Sequence, residues 1–242
     1  MGAKKAIVIG ATSGMGMETA RLLAKEGYEV GLAGRREDRL LALQKELPTA
    51  AHVKRIDVTA PEEAIPAFEA LAEEMGGLDV AVICSGIVLP NFELDWEKEQ
   101  KTVDTNVLGF AAMANAAARQ FVKQGHGHLV GISSTSALVY SDRSNAYCAS
   151  KAFISNYLRG LRILLAKASP DIFVTEVLPG WVYTEMTQNA DKSKIFWAST
   201  AAQAASQICD AIRKKKRKIY ISRRWRLLAW MLALLPERMR VK

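Results

Sequence analysis

Cysteine and histidine are scarce, with three of each among 242 residues. Cys84, Cys148 and Cys209 are odd in number and widely spread. They offer neither a disulfide framework nor a metal-like pair, which fits a reducing cytoplasm. His126 and His128 flank a glycine ahead of an apolar run and read as loop residues, so no metal site is expected. Long apolar runs are missing as well. Leu227–Leu235 holds nine apolar residues, too few to span a bilayer. At the N-terminus, MGAKKAIVIGA runs straight into a glycine turn without a small-residue cleavage site, and reads as a first strand and not a signal peptide. There is no internal repeat, linker or second domain.

Negative charge is short only at one end. The net charge is +8, from 33 basic and 25 acidic residues. Residues 213–242 carry twelve Lys or Arg and a single acid, Glu237, a local net of +11. Residues 1–212 are left with 21 basic against 24 acidic residues, a net of −3. The body therefore reads as a mildly acidic enzyme-like domain over 1–222, followed by a basic and apolar helical tail over 223–242. At 50% hydrophobic residues the chain can fill a sizeable core in one α/β unit.

What is present is a regular alternation. Strands are predicted over Lys4–Gly10, Tyr28–Gly34, Ala51–Ile56, Leu78–Ile83, His128–Ser133, Ile172–Leu178 and Lys218–Ser222. Between them, helices are predicted over Met17–Glu26, Arg36–Leu47, Pro61–Met75, Asp95–Lys123, Ala146–Lys167 and Thr200–Arg213. Alternation at these lengths specifies a doubly wound parallel sheet of about seven strands flanked by helices, with right-handed crossovers.

Two stretches carry chemistry. Gly10-Ala11-Thr12-Ser13-Gly14-Met15-Gly16 lies between a strand and a helix, where Gly10 permits a tight turn. Gly14 and Gly16 there let backbone approach a pyrophosphate at a positive helix N-terminus. The spacing is GxxxGxG, and its place at the start of an α/β chain argues for nucleotide binding. Tyr147 and Lys151, four apart on a predicted helix, share one face, with Ser134 thirteen positions upstream of the tyrosine. An ammonium beside a phenol favours the phenolate, so the pair is expected to bring the tyrosine down from its usual value of about 10. Taken alone, a Tyr and a Lys four apart also fit two surface residues.

Taken in order, these motifs resemble the short-chain dehydrogenase/reductase family over nearly the whole chain. They are GATSGMG at 10–16, Asp57 after the third strand, Ser85-Gly86 after the fourth, Asn106 in the long helix, Ser134, Tyr147, Lys151, Pro179-Gly180 and Thr184. The resemblance implies a Rossmann-type fold and an NAD(P)-dependent enzyme acting on a CH–OH or C=O group. It implies Tyr147 as general acid/base, with Lys151 lowering its pKa and holding the nicotinamide ribose. Ser134 would hydrogen-bond the reacting oxygen, and Asn106 would position a proton-relaying water. Thr12, Ser13 and Met15 join the glycines around the cofactor, Asp57 and Val58 would meet the adenine, and Pro179, Gly180, Val182 and Thr184 would wrap the nicotinamide. One departure stands out. Cys84-Ser85-Gly86 replaces the family's Asn-Ala-Gly turn, which changes the local hydrogen bonding while Gly86 keeps the close backbone approach.

The second strand ends in Gly34-Arg35-Arg36. NAD-preferring enzymes place a carboxylate there, whereas Arg35 and Arg36 suit a 2′-phosphate, so NADP(H) is expected and reduction with it. The alternative is that both arginines simply begin a solvated helix. The substrate pocket is expected from 138–145 and 180–200, with Leu138, Val139, Tyr140, Trp181, Tyr183, Met186, Ile195, Phe196 and Trp197 as lining. That lining suits a lipophilic ketone or alcohol: a keto-lipid, a 3-ketosphinganine-like base or a steroid. A soluble small-carbonyl or sugar reductase and a non-catalytic NADP-binding regulator are the alternatives. The basic and apolar stretch 213–235 suits a peripheral membrane contact, and equally packing on the body or on a partner subunit. Without a recognition motif no nucleic-acid partner is expected. The family resemblance implies a homo-oligomer.

Overall fold

The computed structural model describes residues 2–188, 197–222 and 224–225. In chain order the elements are β1 (Lys5–Ile9), α1 (Gly14–Lys25), β2 (Glu29–Gly34), α2 (Glu37–Glu46), β3 (Ala51–Arg55), α3 (Pro61–Glu74) and β4 (Val80–Ile83). They continue with α4 (Trp96–Val103), α5 (Gly109–Gln124), β5 (Gly127–Ile132), α6 (Asn145–Ala168), β6 (Ile172–Pro179), β7 (Val182–Tyr183), β8 (Ser199–Thr200), α7 (Ala201–Arg213) and β9 (Lys218–Ile221). Seven strands form one sheet in the order β3-β2-β1-β4-β5-β6-β9, every pairing parallel. The expected doubly wound sheet is therefore the fold.

Alternation along the strands explains the layers. On β1, Ala6 and Val8 face one side and Ile7 and Ile9 the other, and all four are buried. Ile7 and Ile9 join Phe68, Phe110, Phe121 and Leu158 of α3, α5 and α6. Val8 joins Leu23, Leu40 and Ile208 of α1, α2 and α7. A parallel sheet covered on both faces needs near-continuous apolar strands, which is why these runs do not alternate with polar residues. Each fully buried Phe or Ile stabilises the fold by about 1.5–3 kcal/mol.

Three local differences from the sequence-based expectation matter for the site. First, α1 begins at Gly14, three residues before Met17, so Gly14 and Gly16 lie in its first turn. Their low helix propensity concealed this start. Second, the long helix is broken by a π-type turn at Asp104–Leu108, between α4 and α5. Third, β7 and β8 form a small parallel pair of two residues each, too short for any periodicity to reveal. Of the tail, Arg224 and Trp225 are described; the apolar run Leu227–Leu235 lies outside the described residues, as do Ile195 and Phe196. Among the described residues no helix is long and apolar enough to cross a membrane.

Strand order reverses between β1 and β4, and the loops leaving the carboxyl ends of β1 and β4 border that switch point, with those of β5 and β6 following along the same edge. In open α/β sheets this is where ligands bind.

Candidate active site

The glycine loop is built for close backbone contact. Gly10 has φ +90°, and a Cβ on it would fall 2.7 Å from the Ser85 amide nitrogen. A Cβ on Gly16 would sit 2.2 Å from the Gly10 carbonyl oxygen, so α1 packs directly onto the strand end. Ser13 at the N-cap gives α1 no side-chain hydrogen bond, and the first turn has no acid. Those first-turn amides and the helix dipole are thus available to an anion. The Ser85 hydroxyl beside this loop is buried with no hydrogen-bond partner. These features fit a dinucleotide's pyrophosphate, which brings acceptor oxygens and negative charge. Cys84 stands where the family's asparagine would be, and burial pushes its thiol up to about 11, leaving a neutral group there.

Asn106 lies in the π-type turn and is fully buried. Its Oδ1 accepts from the Ile87 amide at 2.9 Å, while its Nδ2 donates to the Ile87 carbonyl at 2.8 Å and to Ser150 Oγ at 3.1 Å. Ser150 Oγ in turn donates to the Tyr147 carbonyl at 2.7 Å. The turn therefore ties the loop after β4 to the helix that carries Tyr147 and Lys151. Gly86 is closely approached on this side: a Cβ there would lie 3.3 Å from Asn106 Oδ1 and 3.4 Å from Lys151 Nζ.

Tyr147 and Lys151 stand on the first turns of α6, as their spacing predicts. Lys151 is 5% exposed, and its Nζ donates to the Ile132 carbonyl at 3.1 Å and lies 5.6 Å from the Tyr147 ring centroid. Burial lowers Lys151 to about 8, so it stays mostly protonated at neutral pH. Ser134 Oγ donates to the Pro179 carbonyl at 3.4 Å, and its hydroxyl favours the Tyr147 phenolate. Ser133, not anticipated from the sequence, braces α6 by donating to the Lys151 carbonyl at 2.8 Å.

One expectation is overturned. The Tyr147 phenol lies above its usual value, because burial penalises the phenolate by more than the Ser134 hydrogen bond favours it. The ammonium is directed at the Ile132 carbonyl and does not lower the phenol. Burial thus holds Tyr147 as the neutral phenol.

The remaining predicted residues divide clearly. Thr184 rests on Gly14, where a Cβ would stand 3.0 Å from its Cγ2. Val182 is buried in β7. Asp57 Oδ1 accepts from the Thr59 amide and hydroxyl at 3.1 and 2.8 Å, a turn-forming role. Val58 packs on Gly109, away from open space. Arg36 donates to Thr12 Oγ1 at 2.8 Å and Ser13 Oγ at 3.0 Å. Arg35 is exposed.

Glu185 also escaped the sequence reading, while Trp225 follows the packing alternative for the tail. Glu185 pairs with Arg36 and Arg39 across the cleft mouth. Trp225 lies against the Pro179-Gly180 corner, where a Gly180 Cβ would be 2.3 Å from its Cδ1, and stands edge-on to Trp197 at 6.4 Å. The start of the tail thus packs on the body, and Trp181, Tyr183 and Met186 are exposed.

Residues 4–195 match the family model described as short chain dehydrogenase. An uncharacterized oxidoreductase of Myxococcus xanthus is 38% identical over 192 residues, covering 77% of this chain and 75% of that protein. One from Staphylococcus haemolyticus is 36% identical over 189 residues, covering 77% and 81%. Among solved structures, a short-chain type dehydrogenase/reductase from Mycobacterium marinum superposes with a TM-score of 0.81 at 28% identity, over 90% of this chain and 93% of that one. Actinorhodin polyketide ketoreductase with NADPH gives 0.81 at 26% identity, over 90% and 95%.

Proposed function

The chain belongs to the short-chain dehydrogenase/reductase family of oxidoreductases, and within it we propose an NADPH-dependent reductase of a ketone in a lipophilic molecule. The observation that carries the proposal is the grouping of Tyr147 with a buried Ser134 and a buried Lys151, whose Nζ lies 5.6 Å from the tyrosine ring centroid. A neutral phenol suits reduction, where negative charge builds on a carbonyl oxygen and a proton must be delivered to it.

The residues divide the work as follows. Tyr147 and Ser134 donate hydrogen bonds to the carbonyl oxygen, and the Tyr147 proton completes the alcohol. Lys151, mostly charged at neutral pH, holds the ribose and compensates charge left on the phenol. Asn106 keeps the Ile87 loop and α6 in register. Gly10, Gly14, Gly16, Ser85 and Gly86 form the cofactor bed, with Asp57 and Val58 at the adenine end and Pro179, Gly180, Val182 and Thr184 at the other. When bound, NADPH supplies the hydride. The protein holds the reacting groups together.

Arg35 and Arg36 at the end of β2, where no carboxylate stands, support NADP(H) over NAD(H). The NADPH-bound polyketide ketoreductase among the structural relatives is consistent with this preference. The apolar surface of Trp181, Tyr183, Met186, Trp197 and Trp225 supports a lipophilic substrate. A homo-oligomer, a cytoplasmic location and a membrane contact through the tail complete the proposal. The test is oxidation of NADPH and of NADH with a panel of ketones from small sugars to long-chain keto-lipids. Turnover confined to NADH or to small polar carbonyls would refute the reading.

A further inference from the structure

The segment after β7 reaches back over the cofactor side of the cleft. Thr184 lies on Gly14, and Glu185 projects between two arginines of the β2–α2 corner. Its Oε2 accepts from Arg36 Nη1 at 2.9 Å, and its Oε1 accepts from Arg39 Nη1. The same Arg36 guanidinium holds Thr12 Oγ1 and Ser13 Oγ of the glycine loop. An anion beside this loop is therefore already present, supplied from 149 residues further along the chain.

The surroundings suggest what that anion replaces. The Glu185 carboxylate forms part of the wall of a cavity of about 260 Å³, together with Thr12, Ser13, Gly14 and Arg39. Its two arginine partners keep Glu185 down at about 2, so it is ionised at any working pH. Yet the pair is surface-lying, with side chains 41–45% exposed, and such ion pairs are weak. A phosphate monoester carries up to two charges and three acceptor oxygens, and outcompetes a carboxylate for the same guanidinium groups.

We infer that Glu185 stands in for the 2′-phosphate of NADP(H) in the cofactor-free protein and is displaced by it on binding, which makes Glu185 a specificity-determining residue. This rests on the NADP(H) reading above. NADPH must break the Glu185 pair to reach Arg36, whereas NADH has no phosphate and leaves it in place. The carboxylate thus weakens NADPH binding selectively and narrows the gap between the two cofactors.

The test compares wild type with Glu185→Gln by direct titration of NADPH, NADH and adenosine 2′,5′-bisphosphate at fixed ionic strength. Thermal unfolding of the variant checks that the fold is kept. The glutamine variant should bind NADPH and the bisphosphate about three- to tenfold tighter, with NADH changed less than about twofold. If wild type prefers NADPH but the variant gains nothing, or if both cofactors shift together, Glu185 is only a tether and the inference fails while the cofactor reading stands. If neither wild type nor the glutamine variant binds NADPH more tightly than NADH, the cofactor reading fails and the inference with it.

Discussion

Replacing Lys151 by methionine should separate activity from stability in opposite directions. Lys151 is 5% exposed and its ammonium has one hydrogen bond among the described residues, to the Ile132 carbonyl. Among the described residues no carboxylate pairs with it. Burial lowers it from 10.5 to about 8, and that gap corresponds to a penalty on the order of 3 kcal/mol for holding the charged form inside. Methionine keeps most of the aliphatic stem and removes the charge, but forfeits a hydrogen bond worth about 1 kcal/mol. The cofactor-free variant should therefore be more stable than wild type at pH 7 by roughly 1–3 kcal/mol, raising Tm by about 2–10 °C. The sign with pH follows from the lowered value. Between about 8 and 10.5 the unfolded lysine binds more protons than the folded one, so wild-type stability rises through that window. The variant has no such rise, and its advantage should vanish near pH 10. Urea unfolding of both proteins at pH 7 and pH 10, alongside turnover assays, reads all of this. A variant less stable at pH 7, or one whose advantage persists unchanged at pH 10, would refute the reasoning.

Two further perturbations address the cofactor bed. Gly16→Ala places a methyl 2.2 Å from the Gly10 carbonyl oxygen, which is backbone and cannot swing aside; overpacking should cost about 1–3 kcal/mol, seen as a lower Tm, and should weaken both cofactors in titration. Arg36→Ala removes the contacts to Thr12 and Ser13 as well as a charged donor, and should weaken NADPH about tenfold or more while leaving NADH within about threefold.

The order of elements was legible because several strands, such as Lys5–Ile9 and Val80–Ile83, are short β-branched apolar runs and several helices have a stop such as Gly27 or Pro48. The placement of Tyr147 and Lys151 on one helix was legible because their four-residue spacing survives any small error in helix ends. Other features depend on the third dimension. The π-type turn holding Asn106 interrupts a helix whose apolar pattern runs on through it. The start of α1 was concealed by glycines that serve close packing and not helix propensity. Spacing placed an ammonium near a phenol but carried nothing about desolvation, which decides the sign of the Tyr147 shift. Glu185 meets Arg36 only because β6 and β2 deliver their following loops to one end of the sheet. Trp225 reaches Gly180 because β9 pairs alongside β6.

The most direct measurement is ketone-dependent NADPH oxidation by Tyr147→Phe, paired with NADPH titration of the same variant. The phenylalanine keeps the ring and loses only the proton donor, so turnover should fall by at least about a hundredfold while the NADPH Kd stays within about threefold of wild type. Turnover near the wild-type level would contradict the account at its centre, because the proton would then come from elsewhere.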